Sequence, residues 1–274
     1  MPDVNIAEML RCEGIDPVDA RVLLGIALEV NRAYLAAHPE QTLSDHQRDC
    51  YLALVERRRA GEPIAYLTGE REFYGLAFKV TPAVLIPRPE SELLVELALE
   101  RVDPDRSGRA LDLGTGSGCV AVAIARHRPR TRLVATEFAS AALDVARENA
   151  RRHAVDNVEF MQSDWFDALR GERFDLVVAN PPYVPAGDPH LAQGDARFEP
   201  RLALVGGRDG LGSIRKIAAG ARDHISPGGW LLFEHGYDQG PRCIALLRRL
   251  GYATPGDFND FAGLPRACAG RWLG

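Results

Sequence analysis

Lysine is almost absent from this chain. Of 33 basic residues only Lys79 and Lys216 are lysines, and the other 31 are arginines. Arginine suits planar phosphate recognition, yet basic charge is itself in deficit: 38 acidic residues leave a formal net charge of -5. A chain with no basic excess lacks the footprint of a nucleic-acid binder, so the arginine bias reads as codon preference. Cysteine is sparse and odd in number, with five residues at 12, 50, 119, 243 and 268 and no CxxC pair. That pattern offers neither a disulfide framework nor a zinc motif, and it fits a reducing cytoplasm. No apolar run nears the ~20 residues of a membrane span. The start, Met1-Pro2-Asp3-Val4-Asn5, lacks a basic stretch leading into an apolar one, so no signal peptide is expected. These absences point to a cytoplasmic protein with no membrane partner, a monomer by default.

What remains is an ordinary globular composition, 46% hydrophobic and 26% charged over 274 residues. It excludes a disordered chain and suits one full domain plus a small one. Three segments are expected: a helical domain over 1–62, a β-hairpin linker over 63–87, and a larger domain over 88–274. In the first, Val22, Leu23, Ile26 and Ala27 fall on one face at helical spacing. Ser44 is placed to cap a helix carrying Tyr51, Leu52, Leu54 and Val55, which Arg57-Arg58-Arg59 closes. Residues 1–80 hold nine basic and thirteen acidic residues, so most of the excess acid lies there. That balance fits a docking surface for a basic partner as well as a plain solvated bundle. Glycines and prolines then punctuate β-prone runs at Ile64–Leu67, Ala77–Val80 and Val84–Ile86. From about 90 helices and strands alternate, with strands at 110–113, 132–136, 157–161, 174–179 and 229–234. This alternation predicts an α/β fold, a doubly wound, mostly parallel sheet with helices on both faces.

The strand ending at Leu113 runs into Gly114-Thr115-Gly116-Ser117-Gly118 and then a helix. Glycines let backbone approach a ligand without a Cβ in the way, and the helix start offers free N–H groups. A dinucleotide fingerprint would put its third glycine at 119, which is Cys. The next strand ends in Glu137, a carboxylate able to accept both hydroxyls of a ribose; Phe138 follows it. A glycine loop with a ribose acid and no pyrophosphate fingerprint suits an adenosine such as that of S-adenosylmethionine. At the third strand end, Asp164 is placed to accept from an adenine amino group and Trp165 to cover the ring. On spacing alone, a turn aspartate followed by a core tryptophan is the better reading of the pair.

The strand 174–179 ends in Asn180-Pro181-Pro182-Tyr183. Neither proline has an N–H, and both have a fixed φ. The Asn180 and Pro181 carbonyls are thereby held rigidly and, with the Asn180 side-chain oxygen, can converge on one planar –NH2 group, with Tyr183 against its plane. An amide nitrogen is a poor nucleophile, since its lone pair is delocalised into the carbonyl. Methyl transfer therefore needs the nitrogen held in line with the methyl, about 3–3.5 Å away, and acceptors on its hydrogens favour the transition state. The proton becomes acidic as the N–C bond forms, so no catalytic His and no metal is expected; the seven His are scattered.

Gly114–Gly118, Glu137, Asp164-Trp165-Phe166 and Asn180–Tyr183, in this order, resemble a class I S-adenosylmethionine-dependent methyltransferase. Asn-Pro-Pro-Tyr by itself is shared with enzymes that methylate amino groups of DNA or RNA bases, which is the alternative function. Three more segments narrow the likeness: Ile64–Gly69 with Phe73-Tyr74-Gly75, Val84–Glu92, and Phe198-Glu199-Pro200 with Ala203–Leu211. Together they resemble the HemK-type glutamine methyltransferases of peptide chain release factors, over nearly the whole chain. The resemblance implies that the acceptor is the Gln of the Gly-Gly-Gln loop of class 1 release factors, methylated on N5, with S-adenosylhomocysteine as the other product. It implies that the helical domain holds the release factor. Substrate contacts carry over onto Asn180, Pro181, Pro182 and Tyr183, and cofactor contacts onto Gly114–Gly118, Glu137, Trp165 and Asn180. Ser91 stands where the family more often has Thr, and Glu137 where Asp is commoner. Two roles are open to Arg88, facing the cofactor's carboxylate or bracing the linker against Glu90, and bracing is expected. An acidic chain with no target-recognition insertion disfavours a base methyltransferase, and intact motifs disfavour an inactive adaptor.

Overall fold

A computed structural model of the chain describes residues 4–11 and 14–274; Cys12 lies outside them. Two compact units emerge, Met1–Glu70 with Gln193–Phe198, and Arg71–Ala192 with Glu199–Gly274.

The first unit holds α1 (Ile6–Met9), α2 (Pro17–Leu28), α3 (Arg32–Ala37), α4 (Asp45–Arg59) and α5 (Ile64–Thr68). Ser44 caps α4 in a full capping box with Gln47, and the three arginines fill its last turn. The core gathers Leu23, Leu24 and Leu28 of α2 against Tyr51 and Val55. The buried face of α2 thus differs from the expected one: Leu23 is inside, but Ile26 is 38% exposed. In a helix this apolar two stripes satisfy the 3.6 period, and packing on α4 selects Ala20, Leu23, Leu24 and Leu28. The Ile64–Leu67 run, expected as extended, is helical. Four apolar residues carry no period of their own; Pro63 before them and Gly69 at φ 73° after them are helix start and stop signals.

The second unit begins with the hairpin β1 (Glu70–Phe73) and β2 (Leu76–Lys79). Tyr74 and Gly75 both take positive φ, as a tight hairpin turn requires. Phe73 and Phe78 are fully buried in the core of this unit, so the hairpin is part of the larger domain rather than a free linker. Asn149, fully buried, ties it down: Oδ1 accepts from Lys79 N at 2.7 Å, and Nδ2 donates to the carbonyls of Lys79 and Ser117. The Val84–Ile86 run, expected as a strand, is irregular, with Val84 and Ile86 buried and Leu85 half-buried.

Then follow a 3-10 turn (Pro89–Ser91), α6 (Glu92–Arg101), β3 (Gly108–Leu113), α7 (Cys119–His127), β4 (Thr131–Glu137), α8 (Ser140–Arg152), β5 (Val158–Gln162) and β6 (Phe174–Ala179). After them come α9 (Arg201–Leu204), α10 (Gly212–His224), β7 (Ile225–Glu234), α11 (Gly240–Arg249), β8 (Ala253–Asn259) and β9 (Pro265–Arg271). The seven-stranded sheet has the order β5-β4-β3-β6-β7-β9-β8. The first five of these are parallel and β9 is antiparallel to β7. Alternation splits the sheet between two cores. Ala110, Leu176 and Val178 face Leu94 and Ile124; Leu111, Leu113 and Val177 face Ile214, Ile217 and Leu247. The edge pair β8–β9 escaped prediction, because Pro255 and Gly256 interrupt β8 and neither strand alternates cleanly; proline is tolerated on such an edge.

Candidate active site

Register sets the site. Asp112 and Leu113 of β3 lie beside Ala135 and Thr136 of β4 on one flank and Val178 and Ala179 of β6 on the other. The segments leaving these strands, at Gly114, Glu137 and Asn180, therefore emerge side by side. Helix α7 carries the chain from β3 to β4, whereas β6 lies on the opposite flank of β3, which makes this the topological switch point where open α/β sheets bind ligands. A cavity of about 340 Å³ opens there, within the size range of small-molecule sites.

Ten of the thirteen residues picked from the sequence line that cavity: Gly114, Thr115, Gly116, Ser117, Glu137, Phe138, Asp164, Trp165, Asn180 and Pro182. The glycine loop is bent by Thr136, whose carbonyl accepts from both Gly114 N and Thr115 N at 2.9 Å. Gly114 has φ 71°, and a Cβ there would meet the Trp165 ring at 3.4 Å. Trp165, itself at φ 49°, packs against this loop while also lying partly buried on the second core, so it has features of both the ring-covering and the core reading. At Gly116 a Cβ would meet nothing within 4 Å, so its backbone faces open space. Glu137 accepts from Gly116 N (2.9 Å) through one oxygen and from Ala139 N (3.0 Å) through the other. Each oxygen keeps a second lone pair for a ligand hydroxyl. Phe138 is 57% exposed at the rim, and Asp164 is exposed beside it.

The other three stand behind the wall. Gly118 caps α7 at φ 81°, where a Cβ would press on Ala146 at 3.1 Å. Pro181 is buried. Tyr183 packs on the second core, and its hydroxyl donates to Glu234 Oε1 at 2.9 Å. Burial, with the Glu234 carboxylate beside it, pushes the Tyr183 phenol far up, so it remains a donor.

Several neighbours of the cavity were missed. Ser91 lines the cavity and accepts from Asn180 Nδ2 at 2.9 Å. Its own hydroxyl donates to Glu234 Oε2 at 2.5 Å. Glu234 is 1% exposed at the end of β7; burial raises its carboxyl, while the Ser91 and Tyr183 hydroxyls oppose the rise. Arg88 does brace the segment before α6, but on Glu199 at 2.5 Å rather than on Glu90. Glu199 also accepts from Ile86 N at 2.9 Å, which gives Phe198-Glu199-Pro200 its reason. The glycines of 206–210 press against the Asn-Pro-Pro-Tyr turn: a Cβ on Gly206 would lie 2.4 Å from Pro182 O, and one on Gly210 would lie 2.3 Å from Tyr183 O. Asp112, 1% exposed beneath the loop, accepts from the Thr115 hydroxyl at 2.6 Å. Burial pushes its carboxyl up to about 7; the Thr115 bond opposes the rise and Glu137 adds to it. Among the described residues, His235, Asp257 and Cys268 alone lie close enough as a group to share a cation; they do not line the cavity.

The chemistry of this lining fits S-adenosylmethionine: an open glycine backbone, the Asp112, Glu137 and Asp164 carboxylates beside a cavity of small-molecule size, and the Trp165 ring against the loop. A parallel sheet that opens such a cavity between a glycine loop and an Asn-Pro-Pro-Tyr turn defines an S-adenosylmethionine-dependent methyltransferase. The family described as "Methyltransferase small domain" matches residues 90–195, and that described as "PrmC N-terminal domain" matches residues 5–69. The release factor glutamine methyltransferase of Burkholderia pseudomallei is 52% identical, covering 98% of this chain and 96% of its own length. That of Salmonella typhimurium is 46% identical over 93% of this chain and 91% of its own. Among solved structures, a methyltransferase of Pyrococcus furiosus (TM-score 0.56, 20% identical) covers 80% of this chain and 96% of its own. A Thermus thermophilus 16S rRNA N2 G1207 methyltransferase with AdoMet and guanosine (TM-score 0.55, 22% identical) covers 74% and 49%; at such identities the fold alone is shared. The chain belongs to the release factor glutamine methyltransferase family.

Proposed function

We propose that the chain transfers a methyl group from S-adenosylmethionine to the side-chain nitrogen (N5) of the glutamine in the Gly-Gly-Gln loop of class 1 peptide chain release factors. The observation that carries this reading is the Asn180 amide on the cavity wall: its Nδ2 is committed to Ser91, which leaves Oδ1 to accept from a planar –NH2 group. When bound, the cofactor supplies an electrophilic methyl carbon on a sulfonium. Asn180 Oδ1 and the rigid carbonyls before Pro181 and Pro182 orient the glutamine amide in line with it and draw on its hydrogens as the N–C bond forms. The amide proton, made acidic as the N–C bond forms, passes by way of these acceptors to water, so neither a catalytic histidine nor a metal is needed to remove it. Glu137 holds the ribose, Trp165 covers the adenine with Asp164 and Phe138 at its edge, and the Gly114–Gly118 backbone lies along the cofactor. The acidic N-terminal unit docks the release factor, and the enzyme works as a cytoplasmic monomer with no direct nucleic-acid contact. Methylation of a base amine would use the same turn, but the net charge of -5 disfavours it.

The test incubates the protein and labelled cofactor with release factor, its Gln→Ala variant, or duplex DNA. Label confined to the intact factor is expected; label on DNA, or equal label on the variant, overturns the reading. Asn180→Ala should lower kcat at least about 100-fold, the scale of losing one transition-state acceptor, while cofactor affinity changes less.

A further inference from the structure

We infer that Ser91 and Glu234 are positioning residues that fix which end of the Asn180 amide faces the acceptor, an inference that rests on the reading of Asn180 as the amide-binding residue. The two ends of an asparagine amide are nearly identical in shape and opposite in chemistry: Oδ1 accepts and Nδ2 donates. A glutamine –NH2 presented to Nδ2 would meet donor with donor. Rotating the Asn180 amide by half a turn would therefore turn an aligning contact into a repulsive one, with no steric penalty to prevent it.

The hydrogen-bond chain behind the cavity prevents it. Glu234 receives two hydroxyls, Ser91 on Oε2 at 2.5 Å and Tyr183 on Oε1 at 2.9 Å. With Glu234 ionised, the state that its two hydroxyl donors favour against the effect of burial, the carboxylate can only accept, and the single proton of the Ser91 hydroxyl is then used on it. Ser91 Oγ can then only accept from its other neighbour. Asn180 offers it Nδ2 at 2.9 Å, and Oδ1 in that place would set two acceptors against each other inside a buried network, where Ser91 is 2% and Glu234 1% exposed. Polarity is thus passed from a carboxylate that does not line the cavity, through one hydroxyl, to the amide that does.

The anchor of the chain is itself held. Phe233 pairs with Ala179 across β7 and β6, so Glu234 and Asn180 leave adjacent strands at the same level. Beyond Glu234, Gln239 accepts from Gly236 N at 2.9 Å and donates to Tyr183 O at 3.0 Å. The turn after β7 therefore grips the same Tyr183 whose hydroxyl reaches Glu234.

Steady-state methylation of release factor and cofactor binding, measured on Ser91→Ala, Ser91→Thr and Glu234→Gln beside Asn180→Ala, test the inference. Ser91→Ala frees the Asn180 amide to turn; kcat should fall about tenfold or more, with the dissociation constant of the cofactor within about threefold of the parent. Ser91→Thr keeps the hydroxyl and should recover most of kcat. Glu234→Gln places a donor in the network and should lower kcat with the same split. Combined with Ser91→Ala it should cost little more than the worse single change, because both act through one amide. Parent-like kcat in Ser91→Ala and Glu234→Gln with an inactive Asn180→Ala overturns the relay alone. So does an equal loss in Ser91→Thr and Ser91→Ala, which would trace the loss to packing. A fully active Asn180→Ala overturns the reading of the site on which the relay rests.

Discussion

Asp112 should make cofactor binding a proton-linked event. Its carboxyl is buried under the glycine loop and pushed from the ordinary 3.8 to about 7, chiefly by loss of solvation. A raised carboxyl means that the folded chain holds this proton more tightly than the unfolded chain does. The stabilisation it gives the ligand-free fold is full below pH 4, falls as pH rises from about 4 to about 7, and is lost above that. Three pH units at 1.36 kcal/mol each set an upper bound of about 4 kcal/mol. A cationic ligand works in the opposite sense, since its positive charge favours ionised Asp112. A carboxyl raised into this range should be partly protonated in the ligand-free chain near pH 7, so binding should expel a fraction of a proton per site. Affinity should climb by up to about tenfold per pH unit below 7 and level off above it. Titration calorimetry at pH 7 in two buffers of unlike ionisation enthalpy reads the proton directly, and Asp112→Asn should abolish the difference between buffers. Equal binding enthalpies in the two buffers for the parent chain, or an unchanged proton release in Asp112→Asn, would refute the reasoning.

Two further substitutions probe the supports of the turn and of the segment before α6. Gly206→Ala drives a methyl to 2.4 Å from Pro182 O and from Gly210 O, both backbone atoms with little room to yield; kcat should drop at least about tenfold with cofactor affinity nearly intact, as steady-state kinetics and calorimetry would show. Glu199→Ala strips Arg88 and Ile86 N of a shared, fully buried acceptor, and by the cost of breaking such a pair it should destabilise the fold by about 3 kcal/mol in denaturant titration.

The parts legible in the sequence were those whose chemistry is local. The strand 174–179, the helix 119–127 and the Ser44 cap each announce themselves within a dozen residues, and the structure has them at those positions. Glycines at 114 and 118 were readable because positive φ and close approach both demand them. The face of α2 was not readable, because an apolar helix needs its partner to choose a stripe. Residues 64–67 misled because four apolar residues carry no period. Ser91, Glu199 and Glu234 were invisible as site residues for a different reason. Ser91 and Glu234 are 143 positions apart, Ser91 and Asn180 are 89, and Arg88 and Glu199 are 111. No spacing rule links residues at such distances; only the sheet order brings them to one place.

The shortage of lysine acquires a structural account on the same footing. Several arginines do what an ammonium cannot, holding two partners in a fixed fork. Arg128 donates through Nε to Val102 O at 2.8 Å and through Nη2 to Leu99 O at 2.5 Å, locking the end of α6. Arg58 joins Asp19 and the Glu62 carbonyl within the N-terminal unit. Arg215 and Arg242 converge on Asp209, whose carboxyl is held well below the usual range chiefly by the Arg215 bond. These guanidinium groups are engaged with the chain's own carbonyls and carboxylates, even where, as at Arg215 and Arg242, about half of the side chain is exposed. The two lysines divide differently: the Lys79 backbone is bound to Asn149, and Lys216 lines the cavity. Codon preference can supply arginines in number, but at these four positions the guanidinium fork holds two partners or a shared carboxylate that braces the fold.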